Sequence, residues 1–201
     1  MLEDEINQVI PVAWWDACVD TRSRITGNRV FAVDVTPDRS TAAIVVVGKS
    51  ERGGVHVETV EHRPGAGSDW IPGRLAEVVV DKWPTRAVAA HLGGPVGSHE
   101  ATLRAQLGDK FRAVSDRELQ HGCGMVFDAI RDKSLNLLGD PPILEALQGA
   151  VKSDRGDSWR WSRKSSSADI SPLVAAPVGW YVFDTMPEPK EPAKLARIYS
   201  F

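Results

Sequence analysis

The sequence predicts an α/β domain built on one mixed β-sheet with helices on both faces. Three observations carry that reading. Apolar, β-rich runs at 29–35, 42–48 and 55–60 are joined by short polar turns, the signature of an antiparallel meander. Beyond residue 69 the apolar spacing becomes helical and alternates with short buried runs. Finally, 201 residues with 42% hydrophobic and 25% charged side chains suit one soluble domain with a substantial core.

Taken in order, residues 1–28 read as a leader or interdomain linker. Within it, Pro11-Val12-Ala13-Trp14-Trp15 opens a short amphipathic helix ending near Asp20. The first strand, Arg29 to Val35, turns through Thr36-Pro37-Asp38-Arg39-Ser40, where Asp38 suits an Asx-type turn bond. A helix follows from Asp69, a plausible N-cap, to Trp83, where Pro84 stops it. Ala87 to Ala90 is a short buried strand ending at His91-Leu92-Gly93-Gly94-Pro95. Next come a helix from Ser98 to Leu107, a strand at Phe111–Val114, and a helix from Ser115 to Asp132. Ser115 and Glu118 form a capping box at its start. Asp140 caps a helix to about Lys152, Trp159 to Trp161 is a small strand, and Asp169 to Phe183 is the last helix. The order βββαβαβα is that of the RNase H-like fold, although other α/β folds share it. Residues 29–184 thus form the domain, and 185–201 a stiff, Pro-rich tail.

Composition narrows the function. A net charge of −3 and a pI near 6.0 argue against a passive nucleic-acid coat, but allow an acidic metal centre beside a local basic patch. No apolar run approaches the ~20 residues that span a bilayer, and the acidic start lacks a secretory n-region. A soluble, cytoplasmic protein with no membrane partner is expected. Cys18 and Cys123 lack any C-x-x-C spacing and read as small buried hydrophobes.

Two aspartates stand out. Asp34 sits mid-strand between Val33 and Val35, where a buried charge costs several kcal/mol unless paired or metal-bound. The alternative is an outward-facing residue on a half-exposed strand. Asp169 opens the last helix, where an aspartate is ordinarily an N-cap. Together they suggest metal-assisted phosphodiester hydrolysis, in which carboxylates from distant segments hold two divalent ions about 4 Å apart. Hard oxygen ligands suit Mg²⁺ or Mn²⁺ rather than zinc. Just before Asp169, Lys152, Arg155, Arg160, Arg163 and Lys164 interleave with Trp159 and Trp161. This patch can meet phosphate without reading sequence. The tryptophans are expected to pack, with Arg160, Arg163 and Lys164 binding DNA.

The stretch Phe31 to Ile44 (FAVDVTPDRSTAAI) closely resembles the first strand and hairpin of the nuclease domain in actinobacteriophage terminase large subunits. The resemblance continues through Gly94-Pro95, Asp116-Arg117-Glu118-Leu119, Cys123-Gly124 and Gly139-Asp140-Pro141. It ends with Trp159 to Arg163 (WRWSR) and Ser167 to Ala176 (SADISPLVAA), spanning about Pro11 to Tyr181. It implies an RNase H-like fold and a metal-dependent endonuclease that cuts concatemeric double-stranded DNA during packaging. By the same resemblance, Asp34 and Asp169 are the first and last metal-binding acids. A third acid is usual just before the Gly-Pro turn, and here His91 stands there. Neutral imidazole serves Mn²⁺ better than Mg²⁺ and adds no negative charge. The resemblance therefore implies two divalent ions at Asp34, His91 and Asp169, with Mn²⁺ favoured, or else a weakened DNA-binding or interaction module. Its implied partners are double-stranded DNA, a terminase ATPase domain, the small terminase subunit and the portal.

Other signals fall away. Gly48-Lys49-Ser50 mimics the end of a P-loop, but the required earlier glycine is Ala43, so no ATPase site is expected in this chain. The histidines show no H-x-x-x-H or HExxH spacing, and no G-x-S-x-G or Cys-His arrangement supports a covalent nucleophile.

Overall fold

A computed structural model describes residues 9–80 and 83–187. The expected meander is present as β1 (Ile25–Val35), β2 (Ala42–Ser50) and β3 (Val55–Arg63), paired antiparallel. β4 (Thr85–His91) lies parallel to β1, and β5 (Phe111–Val114) parallel to β4. A short β6 (Leu135–Leu137), not foreseen from sequence, pairs parallel with β3 and completes the order β5-β4-β1-β2-β3-β6.

Alternation along β1 assigns each side chain to one of two cores. Val30 and Ala32 enter the larger core, while Phe31, Val33 and Val35 enter the smaller. The larger core is roofed by α1 (Val12–Asp16), α4 (Asp116–Arg131), α5 (Pro141–Gly149) and α6 (Ser171–Thr185). The smaller is roofed by α2 (Ile71–Arg74), its π-helical continuation Leu75–Val80, and α3 (Glu100–Leu107). Helices on both faces, as expected, explain why β1, β2 and β4 read as continuous apolar runs.

Several expectations change in detail. Residues 9–24 do not trail away from the domain. Ile10, Trp15 and Cys18 are buried in the larger core, and Val19 bridges to Leu137. β1 accordingly starts at Ile25, four residues early. Asp69 does not cap the second helix, whose N-cap is Trp70. A second small sheet pairs β7 (Lys152–Arg155) with β8 (Ser158–Trp161), so the α5 helix ends at Gly149, short of Lys152. The Pro-rich tail from 188 onward lies outside the described residues. Two caps form as read: Ser115 and Glu118 close the capping box on α4, and Asp140 accepts from Ile143 N. The Asp140 carboxylate also accepts from Thr59 N and Oγ1 at 2.8 and 3.0 Å, tying α5 to β3.

α6 is apolar nearly all round because it lies between the sheet and α4. Its contact with α4 depends on Gly122, where a Cβ would stand 2.3 Å from the Pro177 carbonyl oxygen. Gly122→Ala is therefore expected to force the helices apart at a cost of about 1–3 kcal/mol. That lowers Tm by roughly 2–4 °C per kcal/mol. Gly124→Ala, two residues along with open space around it, should hold or raise Tm. Equal losses from both substitutions, measured by thermal denaturation, would contradict this packing account.

Candidate acid site and basic cleft

The sheet register builds the site. Asp34 pairs with Ala43, Ala43 pairs with His62, and Val33 lies opposite Ala90, one residue before His91. His91, Asp34 and His62 therefore fall in one row across β4, β1 and β3, on the face that α6 covers. β4 ends at His91, which pairs with Val114, and Asp116 follows at the start of α4. At the same sheet end, Asp169 enters α6, where its Oδ1 accepts from Ser171 N at 2.8 Å.

Asp34 is fully buried, so its charge needs a partner. That partner is Arg163, whose Nε and Nη2 donate to the two carboxylate oxygens at 3.0 and 2.6 Å. This is the two-pronged contact of an ionised pair. Burial pushes the Asp34 carboxyl above the ordinary carboxylate range, and the charge and hydrogen bonds of Arg163 offset this only in part. Burial opposes the Arg163 cation too, but Asp34 holds its pKa above the ordinary value.

His91 is also fully buried. Burial, followed by the Arg163 charge, lowers its pKa, and Asp116 and Asp34 only partly offset this. The ring is therefore neutral near pH 7. With Nε2 placed 3.1 Å from Asp116 Oδ1, that nitrogen carries the proton, and buried Nδ1 is left without a hydrogen-bond partner. Asp116 is shared, since Arg160 donates to the same oxygen at 2.5 Å. Gly94 closes the wall: a Cβ there would meet Arg163 Nη2 at 3.3 Å and His91 Nδ1 at 3.4 Å.

Asp169 pairs instead with His62, Nε2 to Oδ2, at 2.8 Å. Burial opposes its charge, yet the hydrogen bonds from His62 and Ser171 hold its pKa below the ordinary range. Among the described residues, no group of three or more His, Cys, Asp or Glu side chains stands close enough to hold a metal ion. The three residues expected as ligands thus share one end of the sheet but face other partners. A guanidinium covers both oxygens of Asp34, and neutral His91 brings no charge. The residues as arranged do not fit a pair of Mg²⁺ ions.

The β7–β8 hairpin supplies the basic wall. Trp161 is buried, and Trp159 packs edge-on against Trp161 and Phe127 at 4.8 and 6.1 Å between ring centroids. Lys152 Nζ lies 4.3 Å from the Trp159 ring and 4.6 Å from that of Phe127. These contacts bolt the hairpin to α4, as the tryptophan pattern suggested, but commit Lys152 to the rings. Arg155, Arg160, Arg163 and Lys164 line a cleft of about 440 Å³ whose opposite wall is Gly93-Gly94-Pro95. Exposed Arg155 and Lys164 give it net positive character, while Arg160 is partly neutralised by Asp116.

His62, Asp116 and the second role of Arg163 were not read from sequence. His62 reaches the row of Asp34 only because a β-bulge at Val60 breaks the alternation of β3, so the period-two pattern gives no signal for it. Asp38 makes the turn bonds expected of it, accepting from Ser40 N, Ser40 Oγ and Thr36 Oγ1.

No protein-family model and no curated protein matches the sequence. Solved structures do. The HK97 bacteriophage large terminase superposes with a TM-score of 0.66 at 12% identity, over 86% of this chain and 43% of that one. The large terminase nuclease from thermophilic phage G20c with bound cobalt gives 0.62 at 13% identity, over 87% and 97%. The same nuclease with bound magnesium gives 0.59 at 14% identity, again over 87% and 97%. The chain therefore has the RNase H-like fold of terminase nuclease domains. It spans less than half the length of the HK97 protein.

A neutral buried His91 makes stability depend on pH. Its folded pKa lies below the ordinary value of about 6.5, so unfolding takes up a proton below that pH. Its contribution is fully present above about pH 6.5 and is lost as pH falls towards the depressed folded value. His91→Gln should therefore flatten the fall in urea midpoint between about pH 7.5 and 5 relative to wild type. An identical fall in both proteins would contradict the assignment of a neutral, buried imidazole.

Proposed function

We propose that this chain is the nuclease-type domain of a phage DNA-packaging terminase, engaging double-stranded DNA through the cleft walled by Arg155, Arg160 and Lys164. In the arrangement described, it binds DNA rather than cutting it. The observation that carries this reading is the guanidinium of Arg163 on both oxygens of Asp34, where two-metal hydrolysis requires a cation-free carboxylate. A neutral imidazole in place of a third carboxylate points the same way. Phosphate contacts of this kind position a duplex without reading its sequence, which suits a motor that handles a whole genome. An ATPase domain, a small terminase subunit and a portal are the partners this role needs.

The second reading is a metal-dependent endodeoxyribonuclease that cuts concatemeric DNA with Mg²⁺ or Mn²⁺ at Asp34, His91 and Asp169. It is supported by the placement of all three at one end of the sheet. The G20c nuclease with bound cobalt or with bound magnesium, sharing this fold, also supports it.

Supercoiled plasmid separates the two. The binding reading expects a gel shift that weakens steeply with salt, and no relaxed product in Mg²⁺ or Mn²⁺. Nicking by wild type that disappears in Asp34→Ala would establish the second reading. Arg155→Ala combined with Lys164→Ala should lower affinity and reduce the salt slope by about 2, one for each phosphate those side chains neutralise. An unchanged slope would place DNA elsewhere.

A further inference from the structure

Arg163 belongs to two places at once. Its Nε and Nη2 hold buried Asp34, yet the same side chain lines the basic cleft. It sits just after β8, in a serine-rich turn held by short-range bonds: Ser165 N donates to Ser162 Oγ, and Ser166 Oγ donates to the Ser162 carbonyl. The side chain is 11% exposed and Asp34 is 1% exposed, so the guanidinium is the boundary between acid site and cleft. Its planar fork fits carboxylate and phosphate oxygens equally well.

We infer that Arg163 is a switched phosphate-binding residue, held by Asp34 in the free protein and transferred to a backbone phosphate when duplex DNA fills the cleft. The exchange trades one oxyanion for another at the guanidinium, so its cost falls on Asp34, left buried without its cation. DNA binding and the availability of Asp34 are therefore coupled, and either event promotes the other. Arg155 and Lys164 meet DNA directly, whereas Arg163 meets it only against this internal competitor. The inference rests on the DNA-binding reading above and adds a determinant of affinity inside the acid site.

The test is a thermodynamic cycle on the full chain, read by fluorescence anisotropy with a labelled duplex of about 20 base pairs over a salt series. Asp34→Asn removes the competing charge, and affinity should rise by roughly tenfold. Arg163→Gln should weaken binding and lower the salt slope by about 1. In the Arg163→Gln background, Asp34→Asn should no longer raise affinity beyond the small gain from removing a distant negative charge. Should Arg163→Gln fail to fold with Asp34 unpaired, Arg163→Lys takes its place, keeping the charge without the fork. The Nε–H NMR resonance of Arg163 in wild type then reports the transfer directly, and it should move when duplex is added. Equal affinity of wild type and Asp34→Asn, a gain that persists fully without Arg163, or an unmoved resonance in a DNA-bound complex would each overturn the switch alone. Failure of wild type and Asp34→Asn alike to bind duplex would overturn the DNA-binding reading with it.

Discussion

A carboxylate in the middle of the central strand constrains everything around it. Asp34 lies on β1, between β2 and β4, and beneath α6, shut off from solvent. Such a charge persists only if a cation is delivered to it, since the desolvation penalty is several kcal/mol. Arg163 delivers that cation from the turn between β8 and α6. The placement of that turn depends on the Trp159–Trp161–Phe127 cluster fastening the hairpin to α4, and on α6 lying across the sheet. The pair is thus the point where the fold, the basic cleft and the acid site meet.

The charge balance at this end of the sheet follows from that pair. Asp34 is matched by Arg163, Asp116 is shared by Arg160 and His91, and Asp169 is bonded to His62. A pair of divalent ions brings twice the charge that Asp34 and Asp169 together could offset. A third carboxylate would narrow the deficit, and neutral His91 does not. Its partnerless Nδ1 faces the Arg163 side of the site and could bind a softer ion, but only after the guanidinium has moved. With these partners in place, Asp34 and Asp169 are both committed to internal contacts.

Much of the fold was legible in the residues. Two continuous apolar runs and one alternating run marked three strands, and their short turns made the meander antiparallel. The capping residues Ser115 and Asp140 marked helix starts to within a residue. What escaped depends on distant contacts. β6 is three residues long and exists because β3 offers an edge. β7 is polar, and only its pairing with Trp159 and Trp161 makes it a strand. Residues 9–24 precede the first strong β signal and so read as a linker, yet Ile10, Trp15 and Cys18 each fill a place in the larger core. In the candidate site, the sheet register brings Asp34 and His91 to one end, and Asp169 joins them there through its bond to His62 at the start of α6. Their partners were hidden, because Arg163 is 129 positions from Asp34 and His62 is 107 from Asp169. Arg163 was read as a phosphate contact, and sequence alone gives no sign that an internal carboxylate competes for it.

Arg163 covers both oxygens of Asp34, the atoms a metal ion would need. Titrating wild-type protein with Mn²⁺ and following free ion by electron paramagnetic resonance tests this most directly. The expected result is no bound Mn²⁺ that depends on Asp34 in the absence of DNA. One or two ions bound tightly to wild type and released in Asp34→Asn would contradict it.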